Sequence, residues 1–263
     1  MPTSLKRLRL LTYNIAHARG LMLHQSLRTE AKIRVQLLKI ARLIARWDVD
    51  IVALQEVDEN SRWSGSFDHL ACLAGHAGMT HVAFGITNRR VGRFHLNYGN
   101  AVLSRFPISY VESHQFGGRV VGEKGFMFTE LELPQGRLPL LNLHLHHNSR
   151  AARLKQATRL MEFLAENRRL RGARWCAPPI ICGDMNNPSH TPDATAMLLG
   201  FLEQQDNYTL LPKGGPKART FPSVWPQRAL DYIFLPSACV KPEAHVMRSL
   251  LSDHRPVLAE FSL

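Results

Sequence analysis

Residues 50–57, DIVALQEV, decide the architecture. From Ile51 to Leu54 every side chain is apolar, and the run stops at Gln55 and Glu56. A strand that buries both faces reads this way, and it needs a packed layer above it and another below. Upstream, residues 29–47 carry Ile33, Leu37, Ile40, Ala41 and Ile44 at helical spacing with Arg and Lys between them, which predicts an amphipathic helix. Residues 7–15, RLRLLTYNI, begin with apolar and polar residues in alternation and read as a strand. Strand, helix and strand form the first unit.

Downstream, a helix over 67–77 leads into HVAFGI and then into strand-like runs at 100–104, 109–115, 125–133 and 138–144, separated by Gly, Pro and basic residues as hairpins are. A further helix, 150–170, lines up Leu154, Ala157, Leu160, Met161 and Leu164 ahead of PPIICGDMNN at 178–187, a buried strand with a polar end. The last quarter adds a helix over 192–204, the loop LPKGGPKARTFPS at 211–223, and strands in ALDYIFL, EAHVMRS and PVLAEFSL. No repeat is visible in the residues themselves. The pattern predicts two sheets packed face to face with helices outside, over residues 1–263 as one domain.

Composition excludes several classes. With 45% hydrophobic and 21% charged residues the chain is globular rather than disordered. Its 33 Lys+Arg against 21 Asp+Glu leave a net charge of +12, which suits an anionic partner such as nucleic acid or anionic membrane. Cys72, Cys176, Cys182 and Cys239 form no CxxC pair, which argues against a zinc knuckle or a redox motif and for a reducing cytoplasm. No leader-like segment and no membrane-length apolar run occur in the sequence, so a cytoplasmic monomer is the expectation.

Chemistry-bearing residues collect at the ends of apolar strands: Asn14, Glu56, His144 and Asp184 with Asn186 where strands stop, and Asp253 with His254 before the final strand, while Asp231 sits within its strand. Strands are rigid mounts, so such side chains can be held converging on one face. Carboxylates with carboxamides suit a hard, oxygen-liganded cation. The stretch NLHLHHNSR at 142–150 adds His144, His146 and His147; His146 would share a side with His144 if the strand continued, and His147 is expected to be solvated. A zinc signature of the HxHxDH type is incomplete there, because its Asp is missing.

TYNI, LQEV, GNAVLSRFPI, NLHL, GDMN, TFPS, LDYIF and SDHRPV follow one another in the order seen in the endonuclease/exonuclease/phosphatase superfamily, and from Thr12 to Phe261 the chain resembles that family. The resemblance implies an α/β fold, a four-layered αββα sandwich of the deoxyribonuclease I type, with two mixed sheets face to face and outer helices. It implies hydrolysis of phosphate esters with Mg²⁺, or Mn²⁺, as cofactor. On that mapping Glu56, Asn14 and Asp253 are the metal residues, Asp184 and Asn186 activate and orient the attacking water, His254 contacts the phosphate with Asp231 as its partner, and His144 is a second active-site histidine. Both histidines are expected to supply positive charge.

Substrate is less legible. LQEV departs from the QE-x-K form of abasic-site endonucleases, and the chain looks closest to uncharacterised bacterial members. Lys124, Asn100 and Tyr98 are the expected substrate contacts, whereas Ala229 stands where many relatives have Arg, which removes one. Three basic or Gly-rich loops, NRRVGRFHLNYG, GGRVVGEKG and PKGGPKAR, are expected near the active face, where they would hold flanking phosphates of nucleic acid or of an anionic lipid. The alternative is a non-catalytic module tethered to either polyanion on the same fold.

Overall fold

The computed structural model describes residues 7–117 and 124–263. The loop GGRVVGEKG falls largely on residues 118–123 and so lies outside them. Along the chain the elements are β1 (Leu8–Asn14), α1 (Glu30–Arg46), β2 (Ile51–Asp58), α2 (His69–Ala77), β3 (His81–Arg90), β4 (Leu96–Ser104), β5 (Ile108–Gln115), β6 (Gly125–Leu133), β7 (Gly136–His144), α3 (Arg150–Arg171), β8 (Ile180–Asp184), α4 (Ala194–Asp206), β9 (Thr209–Leu211), β10 (Asp231–Leu235), β11 (Val240–Val246) and β12 (Val257–Ser262). Helix starts are chemically fixed: Thr29, Asp68, Ser149 and Asp193 each accept a hydrogen bond from a backbone N–H of the first turn.

Two six-stranded sheets result, ordered β11-β12-β1-β2-β4-β3 and β5-β6-β7-β8-β10-β9. Side-chain parity sorts each central strand into layers. Leu10, Ile51 and Ala53 of the first sheet meet Leu138, Leu140, Ile180, Cys182 and Ile233 of the second in a core between the sheets. The alternate residues Leu11, Tyr13, Val52 and Leu54 pack under α1 and α2, and Leu141, Leu143, Ile181 and Phe234 pack under α3 and α4. Residues Ile51 to Leu54 are all apolar because they are the shared wall of two cores, and the αββα sandwich follows.

A repeat invisible in the residues appears in the topology. The segments β1–α1–β2–α2–β3–β4 and β7–α3–β8–α4–β9–β10 run in the same order, each with its first two strands parallel and its second strand antiparallel to its last. The β3–β4 hairpin is longer than its apolar pattern predicts. Pairing continues to Arg90 opposite Leu96, so much of NRRVGRFHLNYG is strand rather than loop. At a sheet edge, backbone pairing needs no apolar outer face. The short β9 has no sequence signature of its own.

Between the sheets, below the strand ends, lies a polar seam. Asn142 Nδ2 donates to the carbonyl oxygens of Leu54 (2.9 Å) and Ala101 (3.0 Å), and its Oδ1 accepts from Gln55 Nε2 at 2.7 Å. Asn100 Nδ2 donates back to the Gly125 and Asn142 carbonyls. These bonds pin the two sheets in one register below the strand ends that carry Asn14, Glu56, His144 and Asp184.

Candidate active site

The strand ends of both sheets open into one cavity of about 420 Å³ lined by Asn14, Arg19, Glu56, Lys124, His144, His147, Asp184, Asn186, Phe221, Arg228, Leu230, Asp253 and His254. Local backbone chemistry aims several of them. Gly183 has φ +138°, and a Cβ there would lie 1.9 Å from the Leu143 carbonyl oxygen, so the GDMN turn requires glycine where β8 meets β7. Asn186, also left-handed at φ 55°, ties its amide to the Leu145 carbonyl at 2.8 Å. Glu56 has φ 55° at a register shift between Leu54 and Val57. A non-glycine residue held there stores on the order of 1–3 kcal/mol of strain.

Asp184 is the hub of the second-sheet side. Its Oδ2 lies 3.0 Å from Asn14 Nδ2, 3.3 Å from His144 Nε2 and 3.6 Å from His254 Nε2, and its Oδ1 accepts from the Asn186 backbone N–H. Burial raises its pKa despite the adjacent imidazoles. His254 donates from Nδ1 to Asp231 Oδ2 at 2.8 Å. Burial alone would lower the His254 pKa, but the Asp231 and Asp184 carboxylates outweigh it and raise it to about 10. His144 goes the other way: burial and the Lys124 charge push it down to about 3. The expectation of two cationic histidines therefore holds for His254 and fails for His144, which is neutral around pH 7.

Glu56 is the hub of the first-sheet side. Lys124 Nζ lies 2.8 Å from its Oε1 and His17 Nε2 lies 3.5 Å from its Oε2. Burial opposes ionisation, but Lys124, His17 and His144 hold its carboxyl well below the ordinary range. Behind it, His17 Nδ1 meets Asp58 Oδ2 at 2.8 Å, and Asp58 Oδ1 accepts from the Trp63 indole at 2.8 Å. Asp253 pairs with Arg19 Nη2 at 2.5 Å.

These donors fit a hard divalent cation. Glu56 reaches the cavity as an ionised carboxylate, with Asp253 and the Asn14 amide also lining it. Asp184, Asp231 and His254 likewise offer ligand atoms within 4.8 Å of one another.

Of the residues expected from sequence, Asn14, Glu56, Lys124, His144, Asp184, Asn186, Asp253 and His254 meet in the cavity, and Asp231 stands directly behind His254. Asn100 and Tyr98 are not among its lining residues. Asn100 is 1% exposed and belongs to the inter-sheet seam, while Tyr98 is buried against His17 and Trp63. His147 is exposed, as expected, but at the cavity, and His146 leaves the face of His144. Past His144 the strand ends, His146 Nδ1 accepts from the Asn148 and Ser149 N–H groups, and His147 faces the cavity. Arg228, the neighbour of Ala229, supplies a guanidinium at the cavity after all. Sequence reading missed Arg19, His17, Asp58, Phe221 and Arg228. Only Asp58 carried a usable signal, since it lies two residues beyond Glu56 in the same strand.

Among proteins of known structure, the chain resembles an endonuclease/exonuclease/phosphatase from Beutenbergia cavernae (TM-score 0.74, 19% identity, 98% of this chain and 72% of that one). It also resembles sphingomyelinase C from Streptomyces griseocarneus (TM-score 0.68, 20% identity, 97% and 99%). A mannosyl-6-phosphatase from Bacteroides thetaiotaomicron is similar as well (TM-score 0.70, 16% identity, 97% and 100%). At these identities the likeness is one of fold. By sequence it is 28% identical over 171 residues to YbhP, an uncharacterized Escherichia coli protein, a match spanning 64% of each chain and so less than two thirds of that relative. Residues 11–254 match the family model itself, and the chain belongs to the Endonuclease/Exonuclease/phosphatase family.

Proposed function

We propose that the protein is a metal-dependent phosphodiesterase. The observation carrying this reading is the convergence of an amide and two imidazoles on one buried carboxylate oxygen, Asp184 Oδ2, beside a second carboxylate, Glu56, kept ionised. In-line attack at phosphorus needs a base for water, positive charge on the non-bridging oxygens and neutralisation of the leaving oxygen. Asp184, its pKa raised by burial, accepts the proton of the attacking water, while Asn14 and Asn186 fix its orientation. His254 as an imidazolium faces the phosphoryl oxygens, held in one orientation by Asp231. Neutral His144 offers a hydrogen bond, and Arg19, Arg228 and Lys124 add charge around the cavity. A divalent cation on Glu56, with Asp253 and Asn14 beside it, would supply further neutralisation of phosphoryl and leaving oxygens.

The test is hydrolysis of bis-p-nitrophenyl phosphate with and without Mg²⁺, for wild type and Glu56→Ala. Metal-dependent turnover lost in the variant is expected. Metal binding without turnover of any phosphoester would favour the binding-module alternative.

A further inference from the structure

Of the seven most exposed large apolar side chains among the described residues, six lie in three segments near the cavity, and the seventh, Leu170 (61%), is on α3. Leu23 is 92% exposed, Val91 82%, Trp225 75%, Leu27 61%, Val224 60% and Phe94 58%. These six come from three segments far apart in the chain; contacts tie two of them to cavity residues and the third to the flank of those two. Arg19, which lines the cavity, donates from Nη1 to the Met22 carbonyl and from Nη2 to Asp253. Ser223, beside Val224, bonds the backbone of Asp253 and Ser252. On the other flank the His24 ring lies 5.7 Å from Trp63, and the adjacent Arg62 bonds the Arg93 carbonyl and covers the Phe94 ring at 4.8 Å. The rim therefore runs from Trp225 through Asp253, Arg19 and Trp63 to Phe94.

Single exposed apolar residues need no explanation; a ring of them about one opening does. The charge in the same segments narrows the occupant. Residues 16–29, 88–97 and 220–230 contain Arg and apolar side chains and no Asp or Glu, and Arg89 and Arg90 with Val91 share a neighbouring cavity with Glu59 and Asp68. Arg89, Arg90 and Arg93 stand exposed beside Val91 and Phe94. Nucleic acid would use the cations, but Leu23, Leu27, Val91 and Val224 offer a base neither a stacking face nor a hydrogen bond. Whatever covers the rim also covers the cavity, so the occupant must contain the substrate. An anionic bilayer meets all three demands: apolar depth for the tips, a tryptophan-friendly interface and negative charge for the arginines.

We infer that this face docks onto an anionic lipid surface and that the phosphoester it takes is a phospholipid headgroup. The substrate half of this rests on the phosphodiesterase reading. Docking is peripheral: among the described residues no helix is long and apolar enough to cross a membrane.

Two variants and two assays separate the parts. Wild type, Glu56→Gln and the triple variant Leu23→Ser, Val91→Ser, Trp225→Ser are sedimented with vesicles of phosphatidylcholine alone or mixed with phosphatidylglycerol. Each is then assayed on those vesicles and on soluble bis-p-nitrophenyl phosphate. Wild type and Glu56→Gln are expected to bind the mixed vesicles. The triple variant should lose about tenfold or more of both binding and vesicle hydrolysis, with soluble turnover unchanged. Wild type remaining in the supernatant with every vesicle would overturn the docking surface. So would binding of single-stranded DNA that the triple variant weakens as much as vesicle binding. Vesicle binding without turnover of lipid or soluble diester would leave the docking surface standing and overturn the substrate assignment.

Discussion

In each topological repeat the second strand ends near a cavity carboxylate that faces an aspartate-backed histidine, and the two are tuned in opposite directions, although the second histidine, His254, comes from the segment before β12, outside both repeats. In the first, Asp58 backs His17, whose Nε2 faces the cavity carboxylate Glu56 at 3.5 Å. In the second, Asp231 backs His254, whose Nε2 faces the cavity carboxylate Asp184 at 3.6 Å. The histidine–aspartate distance is 2.8 Å in both. What differs is the neighbour on the far side. Lys124 adds a cation to Glu56 and drives its carboxyl well below the ordinary range; Asp184 has no such ammonium against it, and burial carries its pKa upward. One carboxylate is thereby fixed as an anion and the other is left able to take a proton, as the proposed ligand and the proposed base require.

The largest effect should come from removing the base. Asp184→Asn keeps the size and the bond to Asn14 but abolishes proton acceptance, so turnover should fall by about 10²–10⁴-fold in steady-state hydrolysis with the metal requirement little changed. Equal loss at Glu56→Gln with an unaltered metal titration would erase the distinction between the two carboxylates. Next, His17→Ala removes the support of Glu56 without touching Asp184. It should weaken the apparent Mg²⁺ affinity roughly 10–100-fold, read by calorimetry or by Mn²⁺ resonance, and leave turnover at saturating metal near wild type.

The pH profile sharpens the comparison further. His254 holds its proton up to about 10, so activity should persist through neutrality and decline as pH approaches that value. The same proton stabilises the fold: the contribution is whole below the ordinary histidine value of 6.5 and is lost as pH rises through about 10. On the acid side the limb should follow Asp184, above the ordinary carboxylate value, while Glu56 adds none there. An acid limb unchanged in Asp184→Asn would refute that assignment. Smallest is the seam that joins the halves. Asn142→Ala orphans the Leu54 and Ala101 carbonyls and should destabilise the protein by about 1–3 kcal/mol in urea unfolding, with turnover of the folded fraction retained.

Much of this was legible beforehand because strands declare themselves by parity and end at polar residues. The apolar run from Ile51 to Leu54 announced two cores, and the strand ends announced Glu56, Asp184 and His254. What stayed hidden depends on backbone breaks that parity cannot follow. The bulge before Val57 and the left-handed turn at His17, φ 53°, bring His17 onto Glu56. His146 leaves the face of His144 because the strand ends between them. Asn100 lies on the correct strand and on a buried face, but that face meets the other sheet rather than solvent. Arg19 and Arg228 sit in loops whose path no periodicity encodes.

The strand β12 is threaded between β11 and β1, with Leu8 opposite Phe261. The consequence is one of timing during synthesis. The second repeat can assemble while its partner sheet still waits, with the outer edge of β1 unpaired, for residues 257–262 to appear. His254 follows every other cavity residue in the chain, so the cavity stays incomplete until His254 has been made. Throughout that interval the nascent chain presents an open apolar strand edge, and it is then that a chaperone or a neighbouring nascent chain would find it.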